Sequence, residues 1–266
     1  MTTNTSSQIC CKYCSSTLVV KDGFRTNKIG GRTQRYKCRK CNKGFVEGDR
    51  RYAQRKDQRL CVLFQEYTDG KSIRGVARSV NLSHTTVARW LKAIDKELPE
   101  VKEAYEMSKE DDEPPQKRYL VYDEMWHFLE RKENKLWIIK LYDSVNNKLV
   151  DFILRNRDED TFLTIYKRNK NRANSTYYID NWTTFETVLK ANNERYVIGK
   201  ENTYPIEQHN SNTRHYLGRF IRRTKNVSRS EQMVAISIKL MTLRHEHPHL
   251  VAQYLTPIFP RVGIAA

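Results

Sequence analysis

RYLVYDEMWHFLERKENKLWIIKLYDSVNNKLVDFILR, residues 118 to 155, is the stretch on which the fold turns. It holds three strand-like runs, RYLVYDEMWHFL, KLWIIKLYDSV and KLVDFILR, rich in β-branched and aromatic residues. The polar connections ENK and NNK suit hairpin turns, so an antiparallel three-stranded meander is expected. Downstream the pattern alternates. DEDTFLTIYKRNKN reads as a helix, STYYIDN as a short buried strand, WTTFETVLKAN as a helix and ERYVIG as a further strand. YPIEQHNSNTRHYLGRFIRR, residues 204 to 223, reads as one helix with Pro205 at its first position, and SEQMVAISIKLMTLRHE as the last.

Three antiparallel strands followed by alternating helix and strand is the order of a ribonuclease-H-like α/β domain with a mixed sheet, assigned to residues 117–266 with the C-terminal helix included. In that order the first strand is central and the fourth pairs beside it. Asp123 in VYDEMW and Asp180 in YYIDNW then become neighbours, and Glu207 from a later helix is placed to join them. Three hard oxygen donors suit Mg²⁺ or Mn²⁺. Two such ions roughly 4 Å apart can activate a water or a 3′-hydroxyl at a phosphodiester. Plainer readings exist for each: an aspartate at a strand end often caps a turn, and a glutamate in a first helical turn complements the helix dipole. Glu124 should point to the opposite sheet face, Asp143 could flank the site or cap its hairpin, and Glu186 and Glu194 read as surface charges. Asn210 and Arg214 follow Glu207 at i+3 and i+7, so they share its helix face.

Upstream, KELPEVKEAYEMSKEDDEPPQ is acidic and carries three prolines, so residues 98–116 are expected to be a linker with room for a short helix. Before it, residues 51–97 contain SIRGVARSVNLSHTTVARWLKAI. Ile73, Val76 and Ala77 form one helical stripe, Asn81 suits a tight turn, and Ser83 suits an N-cap for a second helix burying Val87, Leu91 and Ile94. Thr85, Arg89 and Lys92 fall on another face of that helix. This is a helix-turn-helix pattern, whose second helix reads the major groove. A generic helical hairpin with a basic face would look similar.

The first 50 residues hold two CxxC pairs, Cys11 with Cys14 and Cys38 with Cys41, around a hairpin of TLVVKDGF and RTQRYKC turning at Gly30 and Gly31. Two such knuckles complete a tetrahedral Zn²⁺ site, and the metal would supply much of the stability of so small a β segment. Cys10 could replace Cys11 as a ligand, and Cys61, in LCVLF, reads as a core thiol. With 48 lysines and arginines against 31 acidic residues, the chain of 266 residues carries a formal charge of +17. That favours nucleic acid as partner, ahead of an anionic membrane. No apolar run approaches the roughly 20 residues that span a bilayer, and MTTNTSSQIC lacks an apolar signal segment. The expectation is a soluble, intracellular protein with no membrane partner, in the cytoplasm or nucleoid if prokaryotic.

The catalytic half carries D-E-M-W (123–126), Y-D-S (142–144), D-N-W (180–182), K-E-N-T-Y-P-I-E-Q-H-N (200–210), Arg214 and R-R-T-K-N-V-S-R-S (222–230). With the paired CxxC motifs and the helix-turn-helix before them, these resemble the transposases of the insertion sequence one family, which are DDE recombinases. The family forms are D-E-x-W, Y-D, D-G-W, K-x-x-T-x-x-I-E-R-x-N and R-K-T-x-x-F-S-K-S. Asn181, Gln208 and Arg229 replace a glycine, an arginine and a lysine; none is a metal ligand. A histidine often found before the last motif's lysine is absent, with Arg195 and Tyr196 near its place.

The resemblance implies that Asp123, Asp180 and Glu207 are a DDE triad using Mg²⁺ or Mn²⁺, with structural Zn²⁺ on the cysteines. It implies double-stranded DNA as partner, both terminal inverted repeats and target, bound by a homodimer or larger synaptic assembly. Thr85 and Arg89, with Lys92, would read bases; Lys200, Arg214, Arg222 and Arg223 would hold phosphates. A catalytically silent repressor and a nuclease without strand transfer are the rival functions.

Overall fold

The computed structural model describes residues 9–26, 32–46, 51–109, 118–170, 172, 174–200, 203–221 and 226–255, with side chains from residue 58 onward in the first helix. The chain divides into two compact units, Met1–Lys56 and Asp57–Ala266. In the first, strands β1 (Val19–Thr26), β2 (Arg32–Cys38) and β3 (Gly44–Val46) form an antiparallel sheet. The hairpin is as expected, and its turn at Gly30 and Gly31 lies outside the described residues. β3 was not legible. It brings Phe45 to within 5.9 Å of the Tyr36 ring, and these two with Cys11 and Cys38 are the buried residues of this unit's core.

Three helices follow: α1 (Arg51–Thr68), α2 (Ile73–Ser79) and α3 (His84–Glu97). Ser72 Oγ caps α2 by accepting from the Gly75 N–H at 3.1 Å, and Ser83 Oγ caps α3 by accepting from the Thr86 N–H at 3.1 Å. Asn81 turns the chain between them at φ 51°. Val87, Leu91 and Ile94 are buried, as their stripe requires. These helices do not form a body of their own. Leu63, Phe64, Val76, Val87 and Leu91 share one core with Ile236, Leu240 and Leu243 of α8 (Glu231–Glu246) and Leu250 and Leu255 of α9 (Pro248–Leu255). The boundary expected between residues 97 and 117 therefore does not divide two packed units.

The stretch expected to be a linker also contributes structure. Within it α4 (Val101–Met107) buries Val101, Ala104 and Tyr105, an i, i+3, i+4 stripe, and Tyr105 donates to Asp143 Oδ2 at 2.6 Å.

The main sheet comprises β4 (Arg118–Phe128), β5 (Lys135–Asp143), β6 (Lys148–Arg155), β7 (Ser175–Ile179) and β8 (Tyr196–Ile198), in the order β6-β5-β4-β7-β8. β4, β5 and β6 pair antiparallel, while β7 lies parallel to β4 and β8 parallel to β7. This is the mixed sheet expected, with its first strand central. One face packs on α5 (Glu159–Asn169) and α6 (Thr183–Ala191), the other on α7 (Tyr204–Tyr216) and α8. α7 stops at Tyr216 rather than running to 223. Leu217 is extended at φ −122°, and a Cβ on Gly218 would sit 2.4 Å from the Gly70 carbonyl oxygen, so the backbone there is committed to a close crossing. No helix among the described residues is long and apolar enough to cross a membrane.

Candidate metal centres and active site

The four cysteines meet as their spacing predicts. Cys11, Cys14, Cys38 and Cys41 place their Sγ atoms within 4.8 Å of one another, with Cys11–Cys41 and Cys14–Cys38 each at 3.6 Å. Cys11, not Cys10, joins the cluster; Cys10 is exposed. The Cys41 backbone N–H, opposed by burial and reinforced by the Lys40 N–H, pulls the Cys38 thiol down to about 6. The Tyr13 N–H points at Cys11 Sγ from 3.5 Å. Four sulfurs at this spacing, with N–H donors favouring the thiolate, fit a tetrahedral Zn²⁺ site. Cys61 is a buried thiol in the α1 core, as expected, and burial raises its pKa.

Strand pairing brings two carboxylates together. Tyr122 pairs in parallel with Ile179, so the next residues, Asp123 and Asp180, lie side by side at the C-terminal end of β7. Burial, then the charges of Glu124 and Asp180, push Asp123 up to about 6. Asp180 is exposed. Glu207 is exposed in the first turn of α7, where Thr203 Oγ1 donates to it at 3.4 Å. One turn further, Asn210 Nδ2 donates to Asp123 Oδ2 at 2.6 Å, tying that helix to β4. Among the described residues only the four cysteines form a group of three or more such ligand atoms all within 4.8 Å, so the three carboxylates do not reach that spacing. The donor set nonetheless suits a hard divalent cation. A half-buried aspartate whose charge is opposed by burial and by two neighbouring carboxylates gains from a positive partner.

A buried polar chain runs behind Asp123. Lys140, its cross-strand partner on β5, is wholly buried and donates to Asn210 Oδ1 at 2.8 Å and Thr213 Oγ1 at 2.9 Å, with His209 Nδ1 at 3.1 Å. All three partners belong to α7. Burial, opposed by Asp123 and Glu246, brings Lys140 down to about 7. His209 Nε2 lies 3.1 Å from Glu246 Oε1, so the chain runs from Asp123 through Asn210, Lys140 and His209 to Glu246 on α8. Sequence reading singled out Asn210 but missed Lys140. Its one signal is a lysine inside the apolar run LWIIKLY, which cannot stay buried without partners.

The opposite face of β4 carries a second clamp. Glu124 Oε1 accepts from Arg157 Nε at 2.8 Å, and the Arg157 guanidinium lies 4.5 Å from the Trp182 ring centre and 5.3 Å from that of Trp137. Glu124 and Trp182, from two separate motifs, thus hold one arginine between them. Asp143 resolves as a cap. It is fully buried and accepts from Tyr105, the Val145 and Asn146 N–H groups and Asn146 Nδ2.

Of the residues expected to touch DNA, Thr85 and Arg89 are exposed on α3, Lys92 is half-buried, Lys200 is exposed ahead of α7, and Arg214 is half-buried near its end. Arg222 and Arg223 lie outside the described residues.

Comparison with known proteins bears on this arrangement. Residues 120–245 match the family model described as IS1 transposase. The insertion element IS1 protein InsB of Shigella sonnei is 28% identical over 111 residues, 42% of this chain and 83% of that protein. The insertion element IS1 1 protein InsB of Escherichia coli (strain K12) is 28% identical over the same length, 65% of that protein. Among solved structures, a chain from the simian T-cell lymphotropic virus intasome in complex with PP2A regulatory subunit B56 gamma aligns with a TM-score of 0.36 at 13% identity, covering 70% of this chain and 66% of that one. The large terminase nuclease of thermophilic phage G20c aligns with a TM-score of 0.23 at 10% identity, covering 58% of this chain and 97% of that one. Residues 120–245 thus match the IS1 transposase family, with InsB relatives at modest identity.

Proposed function

We propose that this family member is a DNA transposase that binds the terminal inverted repeats of its element, cleaves one strand at each end and joins the released 3′-hydroxyl to target DNA. The observation that carries the reading is Asp123 seated beside Asp180 at the end of β7 and held there by Asn210 of α7, the helix that presents Glu207. Asp123, Asp180 and Glu207 would hold Mg²⁺ or Mn²⁺, which supplies activation of the attacking oxygen and charge stabilisation at the phosphodiester. Asn210 fixes one oxygen of Asp123, while Lys140 fixes Asn210. Arg157, held by Glu124 and two tryptophans, steadies the turn that carries Asp180.

We assign the four-cysteine segment (1–50) to a zinc ribbon and residues 51–97 to a helix-turn-helix whose Thr85, Arg89 and Lys92 face the terminal repeat. Residues 98–116 connect these to a ribonuclease-H-like catalytic part over 117–266. Lys200, Arg214, Arg222 and Arg223 are assigned to phosphates, and joining two ends to one target implies a dimer or larger synaptic complex. The test is incubation of the full chain and Mg²⁺ with duplex carrying an element end. Nicking at the end, and strand-transfer products from a pre-cleaved 3′ end, are expected. Binding without nicking would mean a repressor; nicking without joining would mean a nuclease.

A further inference from the structure

Between the helix pair and the segment that follows α7 lies a cleft of about 420 Å³, within the ~300–1,000 Å³ typical of ligand pockets. Lys71, Ser72, Arg74, His84 and Thr85 line one wall; Gly218, Arg219, Ser228 and Arg229 are among those lining the other. Among the described residues, no aspartate or glutamate lines it.

Both walls are built. On one, Ser72 and Ser83 cap the two helices. On the other, Ser228 Oγ bonds His127 Nε2 at 2.8 Å, and the Glu130 N–H donates to the Ser228 carbonyl at 2.8 Å. Ser230 caps α8 by accepting from the Met233 N–H. The motif S-R-S (228–230) is thereby explained: two anchored serines present the exposed Arg229 between them. The Gly70–Gly218 crossing joins the walls at their base. There, half-buried Arg219 donates to the Tyr67 hydroxyl at 2.9 Å, and Tyr67 in turn bonds Ser237 at 2.6 Å. Among the described residues no carboxylate forms an ion pair with Arg74, Arg219 or Arg229, whereas Lys71 already pairs with Glu66 at 2.6 Å. A half-buried guanidinium answered only by a neutral hydroxyl, in a cleft free of carboxylates, is arranged for an incoming anion. The planar fork suits phosphate oxygens better than a halide.

We propose that this cleft holds the phosphodiester backbone of one DNA strand, with Arg219 at its base and Arg74 and Arg229 gripping from opposite walls. It rests on the DNA-binding part of the reading above and adds contacts not counted there. A backbone lying beside the start of α3 is where a strand flanking the major groove read by that helix would pass. One wall belongs to the reading helices and the other to the segment leading into α8, so one duplex would be held by both.

The test measures binding of the full chain to a fluorescent duplex of generic sequence by anisotropy, across a series of KCl concentrations. Arg74→Ala and Arg229→Ala should each flatten the slope of log K against log salt by about 0.9, and the double variant by about 1.8. Affinity for an end-bearing duplex should fall by the same factor as for a generic one. An unchanged slope in either single variant overturns the proposal, as does a loss confined to the end-bearing duplex. Arg219→Gln, if its melting temperature is retained, should weaken binding further; if it does not fold, the two wall variants decide. Cleavage is not the readout, so an inactive but DNA-binding chain would sink the catalytic reading and leave this result standing.

Discussion

The cysteine cluster draws its ligands from two short knuckles, 11–14 and 38–41, whereas the carboxylates come from β4, the end of β7 and the first turn of α7. The thiols already sit 3.6 Å apart in pairs. The carboxylates, three like charges, stand further apart, held by a scaffold that does not need them in order to fold. In the first region the ligands are the core, since among the described residues Tyr36 and Phe45 are the only large buried side chains beside them. In the second, the apolar cores on both faces of the sheet do that work, and the acidic groups are free to be chosen for chemistry. A binding site that is also the hydrophobic core must be occupied to be stable; one mounted on a packed sheet need not be.

The contrast can be broken most decisively by metal removal. A strong chelator, or Cys38→Ser, should unfold residues 9–46 and release zinc, a loss on the order of 10 kcal/mol to that unit. Limited proteolysis of the full chain should then cut within residues 9–46 and spare 57–255. Withdrawing Mg²⁺ alone should shift neither pattern. Next in size, Asp180→Asn should reduce strand cleavage about a thousand-fold while leaving the melting temperature and DNA binding near wild type, because Asp180 is exposed. A collapse in melting temperature would make it a structural residue instead.

Lys140→Met sharpens the boundary between scaffold and site. It removes the donor shared by Asn210, Thr213 and His209 and should raise the Mg²⁺ concentration needed for half-maximal cleavage about 10- to 100-fold. Equal loss at saturating Mg²⁺ would argue against positioning. The smallest effect is acid sensitivity of the second unit. Burial, then Arg219, holds His127 down at about 4. An unfolded histidine titrates near 6.5, so the unfolded chain takes up the extra proton and stability falls as pH drops from about 6.5 towards 4. Asp123, pushed up to about 6, acts in the opposite sense over about 4 to 6. Thermal melts at pH 7.5 and 4.5 should show a shallower drop for His127→Gln than for wild type.

Much of this was legible because it is local or periodic. The CxxC spacing, the Ser83 cap, the Asn81 turn and the β4–β6 meander follow from neighbours in sequence, and the central place of β4 from element order. What was hidden is long-range. Lys140 reads as an oddity in an apolar strand until α7 supplies its three partners, 69 to 73 residues away. Arg157 was invisible because its aromatic partners come from two other elements. The basic run after Tyr216 is compatible with helix, and the close crossing of Gly70 and Gly218, where the chain leaves α7, is not visible in sequence. The short helix in the acidic stretch was allowed for, but its docking through Tyr105 could not be read without Asp143.

α8 is buried along most of its length, giving Ile236, Leu240 and Leu243 to the helix-pair core and Val234, Ile238 and Met241 to the sheet core. It works as a party wall between two rooms. A destabilising substitution within it should be felt on both sides, loosening the helix pair and the sheet together, so that neither packs as it does without the other.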